Sequence, residues 1–196
     1  AGIYFSGSSY STAPCVVQIH GNYINGQLNI DIGYYETTCK NNHIIHSGEI
    51  SLGETTFFED NIVFIGGSNY NAIGLSKIPT KNNHYKSLDD TIRELTIKGG
   101  EILDSTFDGL KLNFNNNDIG SGVTYKNCKF NNCELRNQLA KKNIFLLENC
   151  SFTDTVITVY VINTSEEIQI EYLIKDSLFE STNKTEFFYI YSNRNN

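Results

Sequence analysis

Four short segments share one pattern of polar and apolar positions: Asp104-Ser105-Thr106-Phe107, Asn127-Cys128-Lys129-Phe130, Asn149-Cys150-Ser151-Phe152 and Asp176-Ser177-Leu178-Phe179. Their phenylalanines are 23, 22 and 27 residues apart, and each column keeps one chemical type: Asn or Asp, then Ser or Cys, then a variable residue, then Phe. Self-similarity at such a period marks an architecture in which each unit buries its apolar face against the next. A spacing of two puts the small residue and the phenylalanine on one side of a strand. Ser105, Cys128, Cys150 and Ser177 are therefore expected to face inward beside Phe107, Phe130, Phe152 and Phe179. Asp104, Asn127, Asn149 and Asp176 fall where the chain turns, and a stack of such residues forms a ladder that satisfies turn backbone groups coil after coil.

Past each phenylalanine lie further turn formers, Gly109, Asn132, Asp154 and Ser181, and then Leu110, Cys133, Thr155 and Thr182, which start the next inward-facing stretch. Earlier in the chain, a glycine followed by polar/apolar alternation recurs at Gly26-Gln27-Leu28-Asn29-Ile30, Gly48-Glu49-Ile50-Ser51-Leu52 and Gly100-Glu101-Ile102-Leu103, with Gly66-Gly67 as another corner. The 33-residue step from Gly67 to Gly100 implies an insertion. It is placed near 77–94, where Pro79, Lys81, Asn82, Asn83, His84 and Lys86 read as a polar loop. There Ser87-Leu88-Asp89-Asp90 has the pattern of a helix start, so Thr91 to Glu94 are expected to complete one short helical turn. The predicted fold is all-β: a single-stranded right-handed parallel β-helix with coils of roughly 22–25 residues. Residues 1–15 form an N-terminal cap or arm, 16–185 the solenoid, and 186–196 a C-terminal strand, cap or oligomer contact.

Leu95-Thr96-Ile97-Lys98-Gly99-Gly100-Glu101-Ile102 and Tyr125-Lys126-Asn127-Cys128-Lys129-Phe130 resemble the coil pattern of pectin-lyase-like right-handed β-helices, a group that includes polysaccharide lyases, glycosidases and the spikes of tailed phages. The similarity spans about residues 16–185 and is a fold-level pattern shared by many functions. The five-residue rhythm of pentapeptide-repeat proteins fits Asn127 to Arg136 and does not continue beyond it.

Composition agrees with a folded, turn-rich β-protein. Hydrophobic residues make up 39% and aromatics 12%, while 25 asparagines and only two prolines suit many turns. A net charge of −7 without a clustered basic stripe disfavours nucleic acid and anionic membrane surfaces, leaving neutral or polyhydroxylated partners. No run of 18 apolar residues occurs, so no membrane-spanning helix is expected. A chain that starts at Ala1 and contains no Met is expected to be a processed product or a fragment. Of the five cysteines, Cys128, Cys133 and Cys150 read as small buried residues, and Cys15 with Cys39 as a pair that an extracellular setting would allow to bond.

Candidate chemistry is sparse. The nearest group of carboxylates for glycosidase chemistry is Glu101, Asp104, Asp108 and Asp118, of which Asp104 is already committed to the turn ladder. His43 and His46, three apart, face opposite sides of a strand, and no metal site or cofactor is expected. His20 and His84 have no identifiable partner, and all four histidines read as surface or turn residues. The three Asn-x-Ser/Thr sequons, at Asn149, Asn163 and Asn183, are what an asparagine-rich chain produces by chance. Tyr10, Tyr34 and Tyr35 offer flat faces for stacking on sugars, as do Tyr4 and Phe5. Glu186-Phe187-Phe188-Tyr189-Ile190-Tyr191 is apolar on both strand faces and points to burial against a cap or a neighbouring subunit. The expectation is a non-enzymatic, extracellular or virion-surface binding module of tail-spike or fibre type. It would bind host-surface glycan and self-associate as a homotrimer, as the resemblance implies. The alternatives are a self-assembling extracellular fibre subunit built as an end-to-end polymer, and a polysaccharide hydrolase or lyase.

Overall fold

The computed structural model describes residues 2–6, 16–31, 36–46, 48–53, 55–66, 71–74, 77–89, 91–115, 122–139, 144–162, 171–182 and 186–193. All regular structure among them is β-strand, and no helix is long and apolar enough to cross a membrane. After a leading strand, Gly2–Ser6, the chain repeats one three-strand coil eight times. The first coil is Val17–His20, Tyr23–Asn25 and Gln27–Asp31, and the last is Glu171–Lys175, Leu178–Glu180 and Phe188–Asn193. The first strand of each coil joins sheet 1, the second sheet 2 and the third sheet 3. Sheets 1 and 2 have eight strands, sheet 3 has nine, and all pairings are parallel, so the molecule is a β-solenoid.

The turn between sheets 1 and 2 has the same length in every coil: two residues. Its first residue is Gly21, Asn41, Asp60, Asn82, Asp104, Asn127, Asn149 or Asp176, and all eight have φ between 48° and 66°. This left-handed conformation costs most side chains about 1–2 kcal/mol and is tolerated best by Gly, Asn and Asp, which explains the column. Outside the core these residues also bond to one another: Asn127 Nδ2 donates to Asp104 Oδ1 at 2.9 Å, and Asn149 Nδ2 to Asn127 Oδ1 at 2.8 Å.

The second corner residue points inward and hands a hydrogen bond to the next coil. Asn22, Asn42, Asn61 and Asn83 form an amide ladder in which the Asn42 backbone N and Nδ2 both donate to Asn61 Oδ1 at 3.0 Å. Asn61 repeats this toward Asn83 Oδ1 at 3.0 and 3.1 Å. Asn83 N then donates to Ser105 Oγ at 3.1 Å, and the column continues as Cys128, Cys150 and Ser177. Each thiol donates to backbone carbonyls, Cys128 Sγ to Lys126 O at 3.3 Å and Cys150 Sγ to Glu148 O at 3.4 Å. Cys133 and Thr155 play the same part at the turn into sheet 3, where Thr155 Oγ1 donates to Phe130 O at 3.0 Å.

Two residues further on, the inner column of sheet 2 runs Ile24, Ile44, Val63, Tyr85, Phe107, Phe130, Phe152 and Phe179. From Tyr85 onward the rings stack, with centroids 4.5 to 5.0 Å apart and planes within 11°. Parallel strand spacing imposes this face-to-face register, and each pair adds roughly 0.5–1.5 kcal/mol to the burial itself. Successive members of the column are 19 to 27 residues apart, wider than the expected coil range. The variation is taken up by the other two turns, because the turn between sheets 1 and 2 never changes length.

Two expectations are corrected. Segment 77–94 is neither an insertion nor a helix: it contributes the strands Thr80–Lys81 and His84–Ser87 and the start of Arg93–Lys98, with Asn82-Asn83 as an ordinary corner. Gly26 and Gly48 precede strands of sheet 3 whereas Gly100 opens a strand of sheet 1, so the 33-residue step spanned two different corners. The supposed helix start is a tight turn in which Ser87 Oγ donates to Thr91 O at 2.6 Å and Asp89 accepts from Thr91 N at 3.1 Å. Period-two pairing of Arg93–Lys98 outweighs the local cap pattern. The solenoid also extends past the expected limits at 16 and 185, since Gly2–Ser6 and Phe188–Asn193 are strands of sheet 3.

Replacing Asn61 with Leu removes the acceptor of the buried Asn42 backbone N–H and the donor to the Cys39 carbonyl, while Asn42 Nδ2 keeps its bond to Ile19 O. It is expected to lower unfolding free energy by about 3 kcal/mol, read as a lower urea midpoint. At the left-handed Asn127, Gly should cost under about 1 kcal/mol and Val clearly more.

Candidate functional site

Of the carboxylates singled out in the sequence, the three described ones stand on different parts of the coil. Glu101 lies on the outer face of sheet 1, 3.2 Å from Lys126 Nζ. Asp104 is in the left-handed corner and accepts from Asn127. Asp108 lies on the outer face of sheet 2, where Oδ2 meets His84 Nε2 at 2.5 Å and Oδ1 accepts from Asn131 Nδ2 at 2.6 Å. Each already has its own partner. Asp118, Tyr10, Tyr34 and Tyr35 lie outside the described residues, as do Cys15, Asn163 and Asn183. For Tyr4 and Phe5 only the backbone strand is described.

Histidine placement departs from expectation at two positions. His84 has a partner, Asp108, supplied by the next coil at a sequence separation of 24. His46 is wholly buried on the inner face, while His43 points outward toward Phe64. Among the described residues no hydrogen-bond partner reaches either ring nitrogen of His46, and burial pushes its pKa down to about 4, only partly opposed by the backbone of Gly48 and Ala72 and by Glu49. Among the described residues no group of three or more His, Cys, Asp and Glu side chains converges on a common point.

The thiols are structural in character. Cys39, Cys128, Cys133 and Cys150 are free and buried. Burial raises Cys39 to about 12 against a weaker opposing bond from Asn42, and raises Cys133 likewise to about 12. A thiol held protonated at neutral pH is a poor nucleophile. Glu59, 5% exposed, sits between Lys40 and Lys81 of the adjacent coils, with Lys81 Nζ at 3.1 Å. Burial alone would raise its carboxyl, and the two ammonium groups more than reverse this.

A recess lies on the outer face of sheet 3 at its C-terminal end, a groove of about 360 Å³. Pairing of Val156–Ile162 with Phe188–Asn193 sets Tyr160 beside Tyr191 and Thr158 beside Tyr189. The Tyr160 and Tyr191 rings stack at 5.3 Å and 15°, and Tyr189 and Tyr191, two apart on one strand, are nearly coplanar in orientation at 6.3 Å and 13°. Arg136 closes one side, its Nε donating to Glu134 Oε1 at 2.5 Å, and its Nη groups have no partner among the described residues. Thr158, 5% exposed, forms the floor. Glu186 beside Tyr189 holds that phenol above its ordinary value. Flat aromatic faces beside a fixed donor and acceptor can stack on a ring and bond its hydroxyls. A smaller polar notch of about 270 Å³, lined by Gln27, Asn29, Glu49 and Ser51, opens on the N-terminal part of the same face.

None of the groove residues was singled out as a binding residue in the sequence, where Cys133 reads as a buried residue and Tyr189 and Tyr191 as part of a C-terminal contact segment. The signal was present in Thr158-Val159-Tyr160 and Tyr189-Ile190-Tyr191, whose alternation puts the tyrosines on one face. Within residues 186–191, Tyr189 and Tyr191 face the groove, while Phe188 and Ile190 continue the inner columns. In comparisons with known proteins, no protein-family model, no curated protein and no solved structure matches the chain.

The buried histidine has a consequence for pH dependence. The unfolded ring protonates near pH 6.5 and the folded one near 4, so between these values the unfolded state binds more protons. Stability is therefore full above 6.5 and falls as pH drops toward 4, by about 3 kcal/mol from this group. His46→Phe is expected to flatten that part of the profile, checked by urea unfolding at pH 7 and 4.5.

Proposed function

We propose that the chain is a non-enzymatic, surface-exposed β-solenoid module of tail-spike or fibre type, acting outside the cell or on a virion, that binds glycan through the tyrosine groove of sheet 3. The observation that carries this reading is the stacked Tyr160–Tyr191 pair, extended by Tyr189, beside the Arg136–Glu134 pair. The C–H face of a sugar ring packs on an aromatic ring, and its hydroxyls need both donors and acceptors, which the Arg136 Nη groups and Glu134 carboxylate supply. The net charge of −7 favours a neutral glycan over a polyanion. Glu101, Asp104 and Asp108 stand on sheet 1, in the corner and on sheet 2, each with its own partner, which supports binding over hydrolysis.

A glycan array followed by calorimetry tests this reading. Tyr191→Ala should weaken binding about tenfold, the loss of one stacking contact, whereas Tyr191→Phe should keep most of it. Thermal unfolding of both variants should stay near wild type, because Tyr191 is 51% exposed. Absence of glycan binding by the wild type, or unchanged affinity in Tyr191→Ala, overturns the proposal. Cleavage of a polysaccharide by the wild type replaces it with the hydrolase or lyase reading.

A further inference from the structure

The two ends of the solenoid are not alike. At the first coil the inner residues Ile19 and Ile24 are 5% and 4% exposed. At the last coil Phe188 and Ile190, in register with the buried Ile157 and Val159, are 39% and 67% exposed. Tyr172, Ile174 and Phe179 are only partly buried there. Glu171–Lys175, Leu178–Glu180 and Phe188–Asn193 are the outermost strands of their sheets, so each presents a free backbone edge. The corner ladder stops there too. Asp104, Asn127 and Asn149 donate their backbone N–H to the next coil at 2.9, 3.0 and 3.0 Å, and Asp176 has no such acceptor among the described residues.

We propose that this C-terminal end docks a second copy of the chain, tail to tail about a twofold axis. Head-to-tail stacking in the register of the other coils would set Lys175 against His20 and Glu171 against Val16 of the next copy, so it gives this strand no opposite charge to meet. A twofold axis lying across the end and through the middle of the sheet 1 edge pairs Glu171–Lys175 with its own copy and brings sheet 2 of each copy onto sheet 3 of the other. All three pairings are then antiparallel, and the assembly closes as a dimer. The sequence of the self-paired strand is complementary to itself: in Glu171-Tyr172-Leu173-Ile174-Lys175, antiparallel pairing about Leu173 sets Glu171 opposite Lys175 of the second copy, twice. Tyr172 meets Ile174 on the inner side, and the exposed Phe188 and Ile190 are covered. The tyrosine groove, whose outer strand is Phe188–Asn193, lies at the seam, but the docking argument holds whether or not the groove binds glycan.

Light scattering and sedimentation on the 196-residue chain test this directly, with circular dichroism melts as the control for folding. The wild type is expected to be a dimer at micromolar concentration. Glu171→Lys alone and Lys175→Glu alone should each be monomeric, since like charges then face each other across the seam. The double variant, and an equimolar mixture of the two single variants, should dimerise again. A monomeric wild type, a trimer, filaments, single variants that remain dimeric, or a double variant that stays monomeric overturns the proposal. A monomer that still binds glycan defeats the docking alone, and a dimer that binds none defeats the groove reading alone.

Discussion

The structure depends on one constraint: a two-residue turn that every coil makes between sheets 1 and 2. Its first residue must be left-handed, and its second must bond inward to the next coil. Because the turn never lengthens, the strands on either side hold the same register through all eight coils. That shared register brings Phe107, Phe130, Phe152 and Phe179 face to face and carries the amide, hydroxyl and thiol ladder down the core.

Within this frame the core changes character along the axis. The N-terminal coils pair asparagine in the ladder with Ile and Val in the adjoining column, and from Ser105 onward Ser and Cys pair with Phe. Asn83 with Tyr85 marks the change, and in the four coils after it the smaller ladder residue accompanies a phenylalanine. The four described cysteines thus occupy packing positions, and the thiols use the carbonyls that Asn and Ser use elsewhere. Among the described residues His46 and Asn137 are the buried side chains with both polar atoms unbonded.

Outward-facing positions are free of these demands, and chemistry appears there only where neighbouring coils line up compatible side chains. On sheet 1 they line up charges, Lys40, Glu59 and Lys81. On sheet 2 they give His84, Asp108 and Asn131. On the last coils of sheet 3 they give tyrosines beside an arginine that its own strand holds in place. A groove on paired strands is held rigidly by the backbone ladder beneath it, which suits recognition of a ring by stacking.

The sequence by itself determined the all-β solenoid, the inward Ser/Cys and Phe columns, and the use of Asn and Asp at the turn, because those positions answer to local rules: side-chain alternation and left-handed backbone. The same corner in the first four coils was harder to read, since Ile, Val and Tyr stand where Phe stands later and Asn where Ser or Cys does. Reading 77–94 as an insertion followed from treating Gly100 as equivalent to Gly26 and Gly48, and only strand pairing separates those corners. The tertiary structure alone decided which outward residues meet. Tyr160 and Tyr191 are 31 residues apart and His84 and Asp108 are 24 apart, and the lengths of the variable turns set both encounters. Local propensity carries no information about such a distance, because the turn lengths that fix it act only once the coils have stacked.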